Sequence, residues 1–202
     1  MSSVYIIAEI GVNHNGSFDL AKKMVREAKN CGADAVKFQI FRADRVSSHI
    51  SKKAEYQKKT YQDKESQLDM IKKLELQYDK FSKLRNYCNH LKIDFLCSPF
   101  DLESAKYLLK LGVKNIKIPS GEITNISLLK FIKKKNLKKI IVSSGMANLS
   151  EVETALINLG WPKNRNIILL HCHTDYPSHF KDINLRAMQT LENCFKIQVG
   201  YS

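Results

Sequence analysis

The sequence predicts an α/β protein built from repeated strand–helix units, and specifically an incomplete (β/α)8 TIM barrel. Short runs rich in Val, Ile and Phe recur along the 202 residues, and each is followed by a segment with helical periodicity. This alternation is typical of a parallel sheet covered by helices. A doubly wound sheet would show the same alternation, but no Gly-x-Gly-x-x-Gly follows the first strand, and this favours the barrel.

Seven strands are predicted, each an apolar run that ends on polar or small residues. They span residues 4–9, 35–39, 94–97, 115–118, 139–143, 166–171 and 196–199. Helices are predicted between them, at residues 18–31, 65–91, 102–111, 127–134, 149–159 and 185–192. A barrel needs about 250 residues and eight strands. We therefore expect residues 1–202 to form one domain, a barrel that stops after seven strands.

One long insert, residues 41–64, interrupts the regular spacing. It is charged and aromatic and has no clear period. A loop of this length within a compact domain is usually functional or disordered, and here a functional segment is favoured.

Composition limits the possible classes of protein. The formal net charge of +13 raises the question of nucleic acid or an anionic membrane. The lysines fall in short groups within helical patterns, as at Lys72 and Lys73, which is typical of solvated helix faces. No nucleic-acid motif, signal peptide or membrane-length apolar run is found. Five cysteines without a Cys-x-x-Cys pair fit a reducing compartment. We expect a cytoplasmic protein that binds neither nucleic acid nor membrane.

The residues that follow the predicted strands are the candidate binding residues. In a parallel barrel, the carboxyl ends of the strands and the helix N-termini converge on one mouth. Two lysines and five hydroxyls are expected there: Lys37, Lys117, Ser98, Ser120, Ser143, Thr174 and Ser202. Any one of the hydroxyls alone fits a helix cap or a turn. Together, the set suits an anion that carries phosphate and carboxylate groups.

Two carboxylates, Glu9 and Glu122, are expected at the same mouth. There they could transfer protons or orient the hydroxyls of a sugar. The alternative role of Glu9 is an ion pair with Lys37 or a structural hydrogen bond across the barrel floor. The alternative role of Glu122 is to cap the helix that begins near Asn125.

Histidines and cysteines at the strand ends are given structural roles. His14, His171 and His173 match no standard zinc spacing, so no metal site is assigned to them. Cys97 and Cys172 follow apolar residues and are expected to be packed interior thiols rather than nucleophiles.

Several motifs, taken together, resemble one known family. They are Ala8-Glu9-Ile10-Gly11-Val12-Asn13-His14-Asn15-Gly16, Val36-Lys37-Phe38-Gln39, Ser98-Pro99-Phe100-Asp101, Lys117-Ile118-Pro119-Ser120-Gly121-Glu122, Ser144-Gly145-Met146-Ala147 and Val199-Gly200-Tyr201-Ser202. Their order and spacing resemble the N-acetylneuraminate (sialic acid) synthase family, which includes the legionaminic and pseudaminic acid synthases. The resemblance covers nearly the whole chain and only the leading barrel portion of the family's proteins.

The resemblance implies a transferase of sialic acid biosynthesis that condenses phosphoenolpyruvate with an N-acetylated sugar such as N-acetylmannosamine and releases phosphate. Phosphoenolpyruvate would be held by Lys37, Ser98, Lys117, Ser120, Ser143, Thr174 and Ser202. The sugar would be held by Gln39, Tyr56, Gln57, Glu122 and Tyr176. Glu9 and Glu122 would be the catalytic groups.

The resemblance also implies parts that this chain does not carry. The family continues into a C-terminal antifreeze-like domain, which is absent here, and the full-length proteins form homodimers. A divalent ion, Mn2+ or Mg2+, is expected, with its ligands beyond Ser202 and none within this chain. The 202 residues alone are therefore expected to be inactive.

Two other interpretations stay open. The chain could belong to another barrel enzyme that condenses phosphoenolpyruvate, which would not require an N-acetylated acceptor. It could also be a non-catalytic remnant that binds phosphoenolpyruvate without a metal. Within the first interpretation, N-acetylmannosamine and the diacetamido trideoxyhexoses are all candidate acceptors, because the discriminating contacts are made by loop side chains.

Overall fold

The computed structural model describes residues 4–48, 51 and 66–202. The chain divides into two compact units, Met1–Gly112 and Val113–Ser202. Each unit is an α/β structure with a parallel sheet, as the alternating pattern predicts. Tyr56 and Gln57, which the sequence assigns to the sugar, lie outside the described residues.

The first unit contains a three-stranded parallel sheet in the order β1-β2-β3. Its strands are β1 (Ile7–Gly11), β2 (Ala35–Ile40) and β3 (Asp94–Pro99). Its helices in the described ranges are α1 (Phe18–Asn30), α2 (Ala43–Val46), α3 (Gln67–Leu74), α4 (Tyr78–Leu91) and α5 (Leu102–Lys110).

The register of this sheet separates a polar face from an apolar face. Glu9 pairs with Lys37, and Gln39 pairs with Ser98. Because side chains alternate along a strand and register partners project to the same side, these four residues share one face. The opposite face carries buried apolar side chains such as Phe38. The two-residue period of the strands therefore places the candidate polar residues together.

The second unit contains a four-stranded parallel sheet in the order β4-β5-β6-β7. Its strands are β4 (Asn115–Ile118), β5 (Lys139–Ser143), β6 (Ile167–His171) and β7 (Gln198–Tyr201). Its helices are α6 (Ile126–Lys133), α7 (Leu149–Leu159) and α8 (Ala187–Phe195), with 3₁₀ turns at Ser120–Glu122 and Phe180–Asp182.

The second sheet is also divided into two faces. Lys117 pairs with Ile141, and Ser143 lies two residues further along β5, so all three project to the same side. The opposite face carries Ile116 and Val142, both fully buried. As in the first unit, candidate polar residues share one face of the sheet.

Side-chain caps fix where several helices begin. Ser17, Asp101, Asn125 and Asn148 are the N-cap residues of α1, α5, α6 and α7, and each accepts a backbone N–H of the first turn. Such caps satisfy donors that the helix leaves unpaired. They hold the start of each helix at a fixed place beside the end of the preceding strand.

Seven strands are found in the described residues, as predicted, but the first and last begin later than expected. β1 starts at Ile7 rather than at residue 4, because the N–H of Ile6 is bonded to the carboxylate of Asp34 and not to a neighbouring strand. β7 starts at Gln198 rather than at residue 196. Lys196 ends α8 in the left-handed conformation with φ of 52°, which lies outside the extended region of a regular strand.

The prediction of one continuous helix over residues 65–91 is wrong. The chain forms α3 and α4 instead, separated at residues 75–77. Glu75 is extended, with ψ of 130°. Its carboxylate accepts the N–H of Ala43 at 2.8 Å and pairs with Arg42 at 2.9 Å. This long-range tether to the start of α2 ends the helix.

Among the described helices, none has both the length and the apolar character that a membrane-spanning helix needs.

Candidate functional site

An ion pair between a buried lysine and a half-exposed glutamate lies on the polar face of the first sheet. The Nζ atom of Lys37 lies 2.8 Å from Oε1 of Glu9, and the two side chains are 3% and 52% exposed. An ammonium group buried to this extent needs a counter-charge, because its transfer from water is costly. Glu9 supplies that charge while half of its own side chain stays in contact with solvent. The ion pair offered as the alternative role of Glu9 is present.

The backbone at Gly11 allows polar side chains to approach one another. A bulge interrupts the β1–β2 register between Glu9 and Gly11, and Gly11 has φ of +56°. A Cβ atom at this position would lie 3.0 Å from Oε1 of Glu9 and 3.7 Å from Nε2 of Gln39. Glycine is favoured because of the positive φ and the close carboxylate. The side chains of Glu9 and Gln39 thus converge over a backbone position that has no side chain.

Ser98 and His14 are buried in the first unit with one polar atom each that has no hydrogen-bond partner within the described residues. These atoms are Oγ of Ser98 and Nε2 of His14. Nδ1 of His14 accepts the N–H of Gly16 at 3.1 Å, so the proton of the neutral ring lies on Nε2. Burial lowers the pKa of His14 and favours this neutral form. Since nearly all buried polar atoms are hydrogen-bonded, both atoms are suited to bind a further group.

The second sheet repeats the arrangement of lysine and serine found in the first. In the first sheet, Ser98 lies two residues beyond the register partner of Lys37. In the second, Ser143 lies two residues beyond the register partner of Lys117. Ser143 is buried, and within the described part of the chain its Oγ atom also has no hydrogen-bond partner. Each sheet therefore places one lysine and one unsatisfied hydroxyl on the same face, towards the carboxyl ends of its strands.

Three loops of the second unit meet at Gly145, which follows β5. Gly145 has φ of +53°, and a Cβ atom there would lie 2.3 Å from Cβ of Ser120 and 3.4 Å from Cγ2 of Thr174. Ser120 lies in the 3₁₀ turn after β4, and Thr174 follows β6. The bare backbone of Gly145 therefore lets two predicted anion-binding residues lie against it.

Glu122 ends the 3₁₀ turn after β4, and its Oε2 atom accepts a hydrogen bond from Nδ2 of Asn125 at 2.7 Å. The alternative role of Glu122 as the cap of the following helix is wrong. The cap is Asn125 itself, whose Oδ1 atom accepts the N–H of Leu128 at 3.1 Å. The carboxylate of Glu122 is therefore supported by the capping residue.

Two predicted site residues at the end of the chain are exposed. Tyr176, assigned to the sugar, is 65% exposed. Ser202 is exposed as well, and its N–H donates to the carbonyl of His171 at 2.9 Å. The structure places both after strands β6 and β7, as the sequence predicts, and gives neither a buried polar environment.

Three of the histidines in the described residues, His14, His171 and His173, lie at or shortly after the ends of strands. No group of three or more His, Cys, Asp or Glu side chains in residues 4–48, 51 and 66–202 is arranged to hold a metal ion. Nε2 of His171 instead lies 2.7 Å from the carbonyl of Ile183. The expectation that ligands for a divalent ion lie beyond Ser202 stays a prediction.

The two cysteines at the strand ends are packed as predicted. Cys97 and Cys172 are both buried. Desolvation raises the pKa of the Cys97 thiol well above its usual range, so this thiol stays protonated. Cys97 is therefore a packing residue and not a nucleophile.

The structure gives positioning roles to Gly11, Gly145 and Asn125, which the sequence motifs do not assign. The sequence does carry a signal for the glycines, since Gly11 ends β1 and Gly145 follows β5, in both cases several residues before the next helix begins. For Asn125, the signal is the pairing of an N-cap residue with a carboxylate three residues earlier.

Comparison with known proteins gives one consistent family. Residues 24–202 match the model of the NeuB family. The chain is 53% identical to the N,N'-diacetyllegionaminic acid synthase of Campylobacter jejuni, over 100% of this chain and 61% of that protein. It is 46% identical to the N,N'-diacetyllegionaminic acid synthase of Legionella pneumophila, over 98% of this chain and 56% of that protein.

A solved structure supports the same relationship. The N-acetylneuraminic acid (sialic acid) synthetase of Leptospira borgpetersenii, crystallised in complex with citrate, superposes with a TM-score of 0.84 at 33% identity. The match covers 99% of this chain and 65% of that one. The chain thus spans less than two thirds of the length of each of these three proteins.

Proposed function

Because this chain belongs to the NeuB family, we propose that it is the leading part of a (β/α)8-barrel enzyme that makes a sialic-type nonulosonic acid. The enzyme would condense phosphoenolpyruvate with an N-acetylated sugar such as N-acetylmannosamine and release phosphate. The observation that carries this proposal is the repeated placement of a lysine and an unsatisfied buried serine on one face of each sheet. Phosphoenolpyruvate has a phosphate and a carboxylate, which are groups that ammonium and hydroxyl donors bind.

The proposed binding residues are those at the family's matching positions. Phosphoenolpyruvate is bound by Lys37, Ser98, Lys117, Ser120, Ser143, Thr174 and Ser202. The acceptor sugar is bound by Gln39, Tyr56, Gln57, Glu122 and Tyr176. The support from the structure is local: Gln39 converges with Glu9 at Gly11, and Ser120 and Thr174 meet at Gly145.

In the proposed reaction, the methylene carbon of phosphoenolpyruvate forms a bond with the aldehyde carbon of the open-chain sugar. Water adds to C2 of the phosphoenolpyruvate unit, and the C–O bond to phosphate breaks. Glu9 accepts the proton released by that water as a general base, because its carboxylate is held by Lys37 and its side chain is still half exposed. Glu122 orients the sugar hydroxyls as a hydrogen-bond acceptor.

Other properties of the longer protein are proposed from the family alone. They are a C-terminal antifreeze-like domain, a homodimer, a cytoplasmic location and a divalent ion, Mn2+ or Mg2+. From the family resemblance, we propose that the ligands of that ion lie beyond Ser202. The 202 residues alone would then be inactive.

The test compares two proteins: the 202 residues alone, and the same residues continued by the C-terminal part of the Campylobacter jejuni relative. Phosphate release is measured with phosphoenolpyruvate, Mn2+ and a panel of N-acetylated hexoses. We expect release from the continued chain and none from the 202 residues. If no phosphate is released with any N-acetylated hexose, the proposal is refuted. Release with acceptors that lack the N-acetyl group would favour another phosphoenolpyruvate-condensing enzyme.

Calorimetry distinguishes a non-catalytic remnant that binds phosphoenolpyruvate from the proposed enzyme. Tight binding of phosphoenolpyruvate by the 202 residues without a divalent ion, together with an inactive continued chain, would support a non-catalytic binding role. Lys37→Met is the control in both measurements, because it removes the buried ammonium group and should abolish specific binding.

A further inference from the structure

We propose that Asn125 is a positioning residue that orients the carboxylate of Glu122 for the acceptor sugar. This inference rests on the proposed function, which assigns Glu122 to the sugar. The contact itself is given by the structure, with Nδ2 of Asn125 donating to Oε2 of Glu122 at 2.7 Å. Asn125 would act through Glu122 and would not touch the substrate.

Both polar atoms of the Asn125 side chain are engaged at the same time. Oδ1 accepts the N–H of Leu128 at 3.1 Å, which caps α6, and Nδ2 donates to Glu122. The cap fixes which end of the amide is oxygen, because only oxygen can accept an N–H. The NH2 end must then face the carboxylate.

Backbone hydrogen bonds also hold the segment that carries Glu122 and Asn125. The N–H of Asn125 donates to the carbonyl of Glu122 at 3.0 Å, and the N–H of Glu122 donates to the carbonyl of Pro119 at 2.9 Å. The 3₁₀ turn after β4 is therefore fixed at both ends. Leu128 and Leu129 of α6 are buried, so the helix that holds Asn125 is anchored in the core of the second unit. The carboxylate is thus attached to a rigid element.

The need for asparagine in particular distinguishes this role from capping alone. Asn, Asp and Ser serve nearly equally well as N-cap residues. Of these three residues, only asparagine has both a side-chain oxygen that can cap the helix and a side-chain N–H group that can donate to Glu122. Serine would cap and lose the donor, and aspartate would cap and bring a second carboxylate towards Glu122. A helix cap alone would accept all three residues.

The experiment uses this difference to separate stability from activity. Asn125→Ser and Asn125→Ala are prepared in the continued chain described above, and the melting temperature and acceptor kinetics of each are measured. Asn125→Ala should lower the melting temperature by roughly 2–4 °C, whereas Asn125→Ser should leave it nearly unchanged. Both should lower kcat/KM for the acceptor by roughly 10- to 100-fold, the effect of losing a hydrogen bond to a charged group. KM for phosphoenolpyruvate should stay the same.

Asn148 provides the matched control, because it is the N-cap of α7 and accepts the N–H of Glu151 at 2.9 Å. Asn148→Ala should lower the melting temperature as Asn125→Ala does and leave acceptor kinetics unchanged. Full activity in Asn125→Ser, or equal loss in Asn148→Ala, would overturn the role of Asn125. If the unaltered continued chain releases no phosphate with any acceptor, the proposed function itself fails, and the two failures are thereby distinguished.

Discussion

Replacing Gly145 by alanine tests whether the loops after β4, β5 and β6 meet as closely as the structure indicates. The added Cβ atom would lie 2.3 Å from Cβ of Ser120. Two carbon atoms in contact are separated by about 3.5–4.0 Å, so one of the two loops must move by more than 1 Å. The substitution also places a side chain on a residue with φ of +53°.

Gly32 separates these two effects. It also has a positive φ, of +83°, but a Cβ atom there meets nothing within 4 Å. Gly32→Ala should therefore cost only the backbone strain, about 1–2 kcal/mol of unfolding free energy. Gly145→Ala should cost this amount and a further 1–3 kcal/mol or so for overpacking against Ser120. At roughly 3 °C per kcal/mol for a chain of this length, its melting temperature should be about 3–9 °C below that of Gly32→Ala.

Thermal unfolding followed by circular dichroism measures the difference between the two variants. A second measurement is calorimetric binding of phosphoenolpyruvate, which Gly145→Ala should weaken because Ser120 is displaced, and which Gly32→Ala should leave unchanged. Equal melting temperatures for the two variants would refute the close approach of Gly145 to Ser120. A lower melting temperature with unchanged binding would keep the packing argument and remove Ser120 from the binding residues.

Further outcomes follow from polar groups in the two sheets and from His14, which lies in the turn after β1. Glu9→Gln should destabilise the protein by about 3 kcal/mol in urea unfolding, because it leaves the buried ammonium of Lys37 without a carboxylate. Lys37→Met should change stability by about 1 kcal/mol at most, because water can solvate the half-exposed carboxylate that remains, and a larger loss than in Glu9→Gln would contradict this. Ser98→Ala and Ser143→Ala should each raise stability by about 1–3 kcal/mol, since each removes an unsatisfied buried hydroxyl. Each should also weaken phosphoenolpyruvate binding in calorimetry by about tenfold. His14 has a folded pKa below the ordinary value of 6.5, so the unfolded state binds its proton first and stability should fall as pH drops below about 6.5. His14→Asn, which keeps an acceptor for the same backbone N–H, should lose that part of the slope when unfolding is measured between about pH 5 and 8.

The strands that the sequence predicted best are those whose ends are set locally. β4 and β5 begin and end at the predicted residues, 115–118 and 139–143, because β4 alternates polar and apolar residues and β5 is a short apolar run bounded by Lys139 and Ser143. β1 and β7 were misplaced at their starts for reasons that the run itself does not contain. One depends on the carboxylate of Asp34, and the other on the left-handed conformation of Lys196.

Long-range contacts explain the other differences. The break between α3 and α4 depends on Glu75, whose partners lie more than 30 residues away in the chain. Helical periodicity continues across this residue and gives no warning of it. The alternative role of Glu122 as the cap of α6 fails for a local reason, since Glu122 and Asn125 are both residues that stabilise helix starts. Only the geometry assigns the cap to Asn125 and the support of the carboxylate to its amide.

The lysine–serine arrangement is the feature that stability alone does not explain. Strands of parallel sheets are usually covered on both faces and read as apolar runs. A buried hydroxyl without a partner costs about 1–3 kcal/mol, and alanine would fill nearly the same space without that cost. Yet Ser98 and Ser143 occupy equivalent places in two different sheets, each two residues beyond the register partner of a lysine. Within each sheet taken by itself, this cost is accepted near a lysine, which supports our proposal that Ser98 and Ser143 each bind an anionic group, because a purely structural sheet would avoid the cost.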